Sequence, residues 1–126
     1  MDTLSKPDLK PIFETLPGLY LVLDPDFTIK AVSNAYLQAT MTKRESILGC
    51  GLFEVFPDNP DDGDADGVSN LRASLNYVLK HGKPHKMAVQ KYDIRRTDGS
   101  FEERYWSPLN TPVFNEQNEI TSIIHN

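Results

Sequence analysis

MAVQKYDIR at residues 87–95, TDGS at 97–100 and FEERYWSPLNTPV at 101–113 form the stretch that decides the fold. The two longer segments predict β-strands, and Thr97-Asp98-Gly99-Ser100 between them is hairpin-turn chemistry. Asn115-Glu116-Gln117-Asn118 turns the chain again, and Ile120 to Ile124 starts a third strand. Three consecutive strands with short turns predict an antiparallel meander.

Upstream of this meander the hydrophobic period changes. Val68, Leu71, Leu75, Val78 and Leu79 recur at helical spacing, and Gly82 and Pro84 close the helix just after Lys80. Further back, Gly51 to Pro57 predicts one helical turn. Thr42 with Glu45 three residues on predicts a capping box for a helix through Ile47-Leu48 that stops at Gly49. Ser33 or Asn34 is placed to cap a helix over Ala35–Thr40. Leu19–Leu23 and Phe27–Val32 flank Asp24-Pro25-Asp26 and predict a first hairpin. Leu9, Ile12, Phe13 and Leu16 predict a short amphipathic helix ended by Pro17-Gly18. Five antiparallel strands with short helices inserted after the second make an α+β fold. The long helix must cover one sheet face, because its apolar stripe needs a partner.

The chain has 126 residues, which suits one domain over residues 9–126 behind a short tail, 1–8. The last strand runs to Asn126 without a terminating signal, as in a domain taken from a longer chain. A single cysteine, Cys50, excludes an intrachain disulfide. The longest apolar run is the five residues Leu19–Leu23, and a membrane span needs about 20. No secretory h-region opens the sequence. A cytoplasmic protein is expected. The net charge is −5 from 18 acidic and 13 basic side chains. Five of the aspartates (58, 61, 62, 64, 66) fall in one loop; the remainder is neutral, with no basic cluster for nucleic acid.

The element order and several words of sequence together resemble the PAS domain, the sensory module of bacterial signalling proteins. Phe13–Asp24 is similar to its first helix and strand, and Val32-Ser33-Asn34-Ala35-Tyr36-Leu37 to its step from second strand to helix. Ile47-Leu48-Gly49 with Leu52–Pro57, Arg96–Ser100 and Trp106–Val113 are similar to the later helices and the last hairpin. The similarity spans roughly residues 9 to 126 and resembles most the PAS domains ahead of histidine kinases. It implies a five-stranded antiparallel sheet, a sensory or regulatory role rather than catalysis, a small-molecule cavity, homodimerisation and an output domain in the same polypeptide.

Registered on Thr111-Pro112-Val113, the resemblance points Arg104, Trp106, Pro108 and Asn110 toward the helices, along with Gln90 and Tyr92, and Ile123 and His125. The site so implied is Tyr92, Trp106, Asn110 and His125 facing Leu71, Leu75 and Leu79, with Arg104 near the rim. Apolar walls with a few convergent polar groups suit a small ligand. A filled core whose polar tips satisfy one another fits the same residues equally well. Arg104 suits an anionic ligand group or a surface carboxylate.

Flavin is disfavoured: Gly49-Cys50-Gly51-Leu52-Phe53-Glu54 lacks the Asn-Cys-Arg-Phe-Leu-Gln context of light-sensing members. Haem is disfavoured because His81 lies at the helix end and His85 beyond it. The ligand identity is left open. Asp62-x-Asp64-x-Asp66-Gly67 opens like a calcium loop, but the twelfth position is Ala73 instead of the bidentate glutamate. No nucleophile, metal or phosphate-loop motif appears. Two readings compete with a ligand sensor: a ligand-free protein–protein module, and a small enzyme using His125 and Tyr92 for acid–base work.

Overall fold

The computed structural model describes residues 8–126. Of the expected tail, residues 1–7 lie outside the described residues. Asp8 is the N-cap of α1 (Leu9–Thr15), its side chain accepting from the Lys10 amide at 3.2 Å.

The elements follow as β1 (Leu21–Leu23), β2 (Ile29–Val32), α2 (Asn34–Thr40), α3 (Arg44–Ile47), α4 (Leu52–Val55), α5 (Gly67–His81), β3 (His85–Lys86), β4 (Gln90–Lys91), β5 (Ile94–Arg95), β6 (Phe101–Glu102), β7 (Tyr105–Trp106), β8 (Leu109–Phe114) and β9 (Ile120–His125). The main sheet is antiparallel with five strands in the order β2-β1-β9-β8-β3. β9, last in the chain, lies between β1 and β8. The expected α+β architecture is therefore present, with α5 packed on β3, β8 and β9.

Two of the expected strands are broken. Met87–Arg95 is not one strand, and Phe101–Val113 is not its continuous partner; the hairpin consists of the pairs β3·β8, β4·β7 and β5·β6. Pro108 offers no amide to the ladder at one break. At the other, the Asp93 carboxylate accepts from the Arg104 amide at 3.4 Å, so a side chain takes a donor that a regular ladder would use. The face alternation survives: Arg104, Trp106, Pro108 and Asn110 are wholly or partly buried, while Glu103, Tyr105, Ser107 and Leu109 are exposed.

The helix starts divide. Ser33 caps α2 as expected, and its fully buried hydroxyl also accepts from the Tyr20 amide at 3.0 Å and donates to the Gly18 carbonyl at 2.8 Å. The Thr42–Glu45 capping box does not form. α3 begins only at Arg44, behind Lys43 with no side-chain cap, and the Thr42 hydroxyl donates instead to that of Thr40 at 2.8 Å.

The core joins Leu21, Leu23, Ile29 and Ile123 from the sheet with Leu52, Leu71, Leu75 and Val78 from the helices. The stripe on α5 accounts for its placement, since Leu71, Leu75 and Val78 are all buried. α1 differs: Leu9 and Ile12 remain 66% and 53% exposed, although Phe13 reaches the Tyr20 ring. No helix among the described residues is long and apolar enough to cross a membrane.

Candidate functional site

A row of paired positions runs across the middle of the sheet. His85 on β3 pairs with Asn110 on β8, and Asn110 pairs with His125 on β9. Residues directly opposite in neighbouring strands present their side chains on one face. Three polar side chains therefore meet beneath α5, which contributes Ser74 from between Leu71 and Val78.

The bonds fix donors and acceptors along the row. The Asn110 amide nitrogen donates to Ser74 Oγ at 2.8 Å. The Ser74 hydroxyl proton is then free to donate to His85 Nδ1, 2.7 Å away. At the other end, His125 Nδ1–H donates to Asn110 Oδ1 at 2.7 Å. Asn110 and Ser74 are almost wholly buried, so these bonds offset a desolvation cost of about 1–3 kcal/mol per group. Burial lowers the His125 pKa to about 4, so the ring is neutral at pH 7.

Beside this row is a cavity of about 30 Å³, room for roughly one or two water molecules. Its aromatic wall is Tyr36, Phe56, Tyr92, Trp106 and His125; Leu71, Met87 and Gln90 contribute elsewhere, and no lining side chain carries a charge at pH 7. The Tyr92 hydroxyl donates to the Phe56 carbonyl, and Trp106 Nε1–H donates to the Tyr92 carbonyl at 2.8 Å. Gln90 Oε1 accepts from Asn70 at 2.9 Å. Burial pushes the phenols of Tyr36 and Tyr92 well above their ordinary value.

Three of the residues expected at the site, Tyr92, Trp106 and His125, line this cavity together. Asn110 lies one hydrogen bond behind His125. Leu75 is fully buried in the core but does not reach the lining. Arg104 is committed elsewhere: it pairs with Glu102 and donates to the Ala39 carbonyl at 2.7 Å. Tyr36 was not among the expected site residues. Its ring lies against three of the wall residues, with centroids 6.0 Å from Phe56, 6.2 Å from His125 and 6.5 Å from Trp106. The readable signal was its place one turn before Thr40, on the buried side of a helix that Ser33 caps.

The other candidate groups lie away from the cavity. Cys50 is half-buried, with Sγ 3.6 Å from the Ser46 carbonyl it donates to. His81 and His85 flank the Tyr77 ring at 4.4 and 4.8 Å. The acidic loop carries its own cation: Lys91 Nζ lies 2.8 Å from Asp62 and 2.9 Å from Asp93. These bonds raise the Lys91 pKa, Asp62 first and Asp93 second, and the Lys91 bond holds Asp62 below the usual carboxylate range. Of the two groups expected for acid–base work, the Tyr92 hydroxyl is engaged with the Phe56 carbonyl, and His125 gives its Nδ1–H to Asn110.

The sequence matches the family described as PAS fold over residues 13–125. No curated protein matches it. Among solved structures, the wild-type PAS-B domain of Drosophila melanogaster Cycle with bound ethylene glycol is similar at 16% identity over 86% of this chain and 96% of that one, TM-score 0.66. A sensory box sensor histidine kinase from Vibrio cholerae is similar at 15% identity over 93% and 84%, TM-score 0.61. VqmA bound to DPO is similar at 22% identity over 91% of this chain and 53% of that one, TM-score 0.63. At these identities the likeness concerns the fold.

Proposed function

The chain belongs to the PAS-fold family, and from that we propose that it is the sensory domain of a bacterial signal-transduction protein such as a histidine kinase. A small molecule taken up against Tyr92, Trp106 and His125 alters the sheet, and the change leaves through β9 to an output domain in the same polypeptide. Asn110 and Ser74 hold His125 in place for this role. The supporting observation is that His125 belongs both to the cavity wall and to the hydrogen-bonded row that ties β9 to α5. The sensor kinase and the DPO-bound protein among the neighbours support the same role by analogy of fold. A second copy pairs through the exposed Leu9 and Ile12 face of α1.

One observation favours a second reading, a ligand-free interaction module: the cavity holds only about 30 Å³ and most of its polar tips are already satisfied. Native mass spectrometry of the purified protein, with melting temperatures across a metabolite library, separates the two. A copurified mass or a saturable rise in Tm supports the sensor. A bare mass and a flat library response overturn it in favour of the interaction module.

A further inference from the structure

The sheet opens beside the core cavity. Where Ser107 and Pro108 break the strand, a second space of about 220 Å³ lies against Leu19, Leu109 and Asn126. Four residues border both spaces: Tyr36, Trp106, Pro108 and His125. The partition between the small chamber and the larger one is thus largely aromatic. Trp106 ends β7 next to the break, half-buried, its Nε1–H bond to Tyr92 the side-chain hydrogen bond that fixes it.

Two polar atoms of this partition are unspent. The Tyr36 hydroxyl makes no hydrogen bond among the described residues, although Tyr36 is only 8% exposed. His125 is only 9% exposed, and with Nδ1–H given to Asn110 its neutral ring keeps a lone pair on Nε2 that no group among the described residues uses. One donor and one acceptor therefore flank the partition with capacity to spare. The planes of Tyr36 and Trp106 lie within 21° of each other, at the far end of the stacking range.

Resting on the sensory reading above, we infer that the ligand is an uncharged, flat aromatic or heteroaromatic molecule that enters at the Ser107–Pro108 break, displaces Trp106 and joins the two spaces. Its ring lies on the faces of Tyr36 and Trp106, an acceptor on it takes the Tyr36 hydroxyl proton, and a donor on it binds His125 Nε2. An anion is excluded because neither space has a charged side chain to offset its desolvation. A saturated ring lacks the flat faces that these two side chains would stack on.

Trp106 is the one tryptophan of the chain, so its indole N–H gives a single, assignable NMR signal at the partition. The test titrates the ¹⁵N-labelled protein at pH 7.5 with benzimidazole, benzoate and cyclohexanol. Benzimidazole, flat and neutral with one donor and one acceptor, is expected to shift that signal saturably; benzoate and cyclohexanol are not. Tyr36→Phe removes only a hydroxyl without an internal partner, so it is expected to fold and to weaken benzimidazole by about twofold to tenfold. Equal binding of benzoate or cyclohexanol, or undiminished binding by Tyr36→Phe, overturns the inference. If no probe binds but native mass spectrometry finds a non-aromatic ligand, the ligand class fails and the sensor survives. If nothing binds by either method, both fail.

Discussion

Replacing His125 with glutamine removes a titrating group from the core while keeping a side chain that can donate to Asn110. In the folded chain burial holds this histidine at about 4, against about 6.5 for a free one. Between those values the unfolded chain binds a proton that the folded chain does not, so stability rises with pH there. The contribution is fully present above about pH 6.5 and is lost as the pH falls toward 4. The whole window corresponds to about 3 kcal/mol, and about 1.4 kcal/mol of it falls between pH 7.5 and 5.5. The carboxylates held low in the folded chain, among them Asp62 and Glu102, act at lower pH and do not blur this interval. Urea unfolding at pH 7.5 and 5.5 measures the effect in wild type and His125→Gln. His81 and His85 are common to both proteins and cancel in the difference. The wild type is expected to lose about 1.4 kcal/mol more than the variant over this interval. Equal losses would refute the account, because they would mean that His125 takes up its proton as easily folded as unfolded.

Leu75→Ala truncates a fully buried side chain on α5 and is expected to cost about 2–5 kcal/mol in urea unfolding; a loss below 1 kcal/mol would show that the surrounding core collapses into the space. Ser33→Ala removes one hydroxyl that caps α2 and also joins it to the Gly18–Tyr20 segment. Its expected cost is about 1–2 kcal/mol, measured by thermal unfolding, and an unchanged Tm would contradict it.

Much of this arrangement was legible because it obeys short-range periods. The α5 stripe followed from spacing of three and four residues; alternation put Arg104, Trp106, Pro108 and Asn110 on one face, and the family resemblance named that face as the inward one. The alternation of burial held even where Pro108 and the Asp93 carboxylate interrupt the ladder. The breaks themselves were not legible. A proline reads as compatible with a strand until its ladder partner is known, and the Asp93 bond to Arg104 spans the hairpin. Thr42 shows a related limit: with Glu45 it has capping-box spacing, yet α3 starts at Arg44 with no side-chain cap. At the site, alternation registered on the family resemblance placed Trp106 and His125 but missed Tyr36, which arrives from a different element. Whether the interior would be open or filled was equally beyond the pattern, since volume depends on how Tyr36, Phe56 and Trp106 pack together. Lys91 illustrates the same point, for its pairing with Asp62 joins residues 29 apart in the chain.

The place of β9 between β1 and β8 also sets the order of assembly. β1 finds its second neighbour only in a segment about a hundred residues later, as in the pairing of Leu21 with His125. Contacts so distant along the chain slow folding, because a long loop must close before they form. During synthesis the β1–β2 hairpin can form early, but the full sheet has to wait until Ile120–His125 has been made. A chain stopped before Ile120 would lack the strand that joins β2-β1 to β8-β3. It would be left with two separate strand pairs and exposed edges open to pairing with other chains.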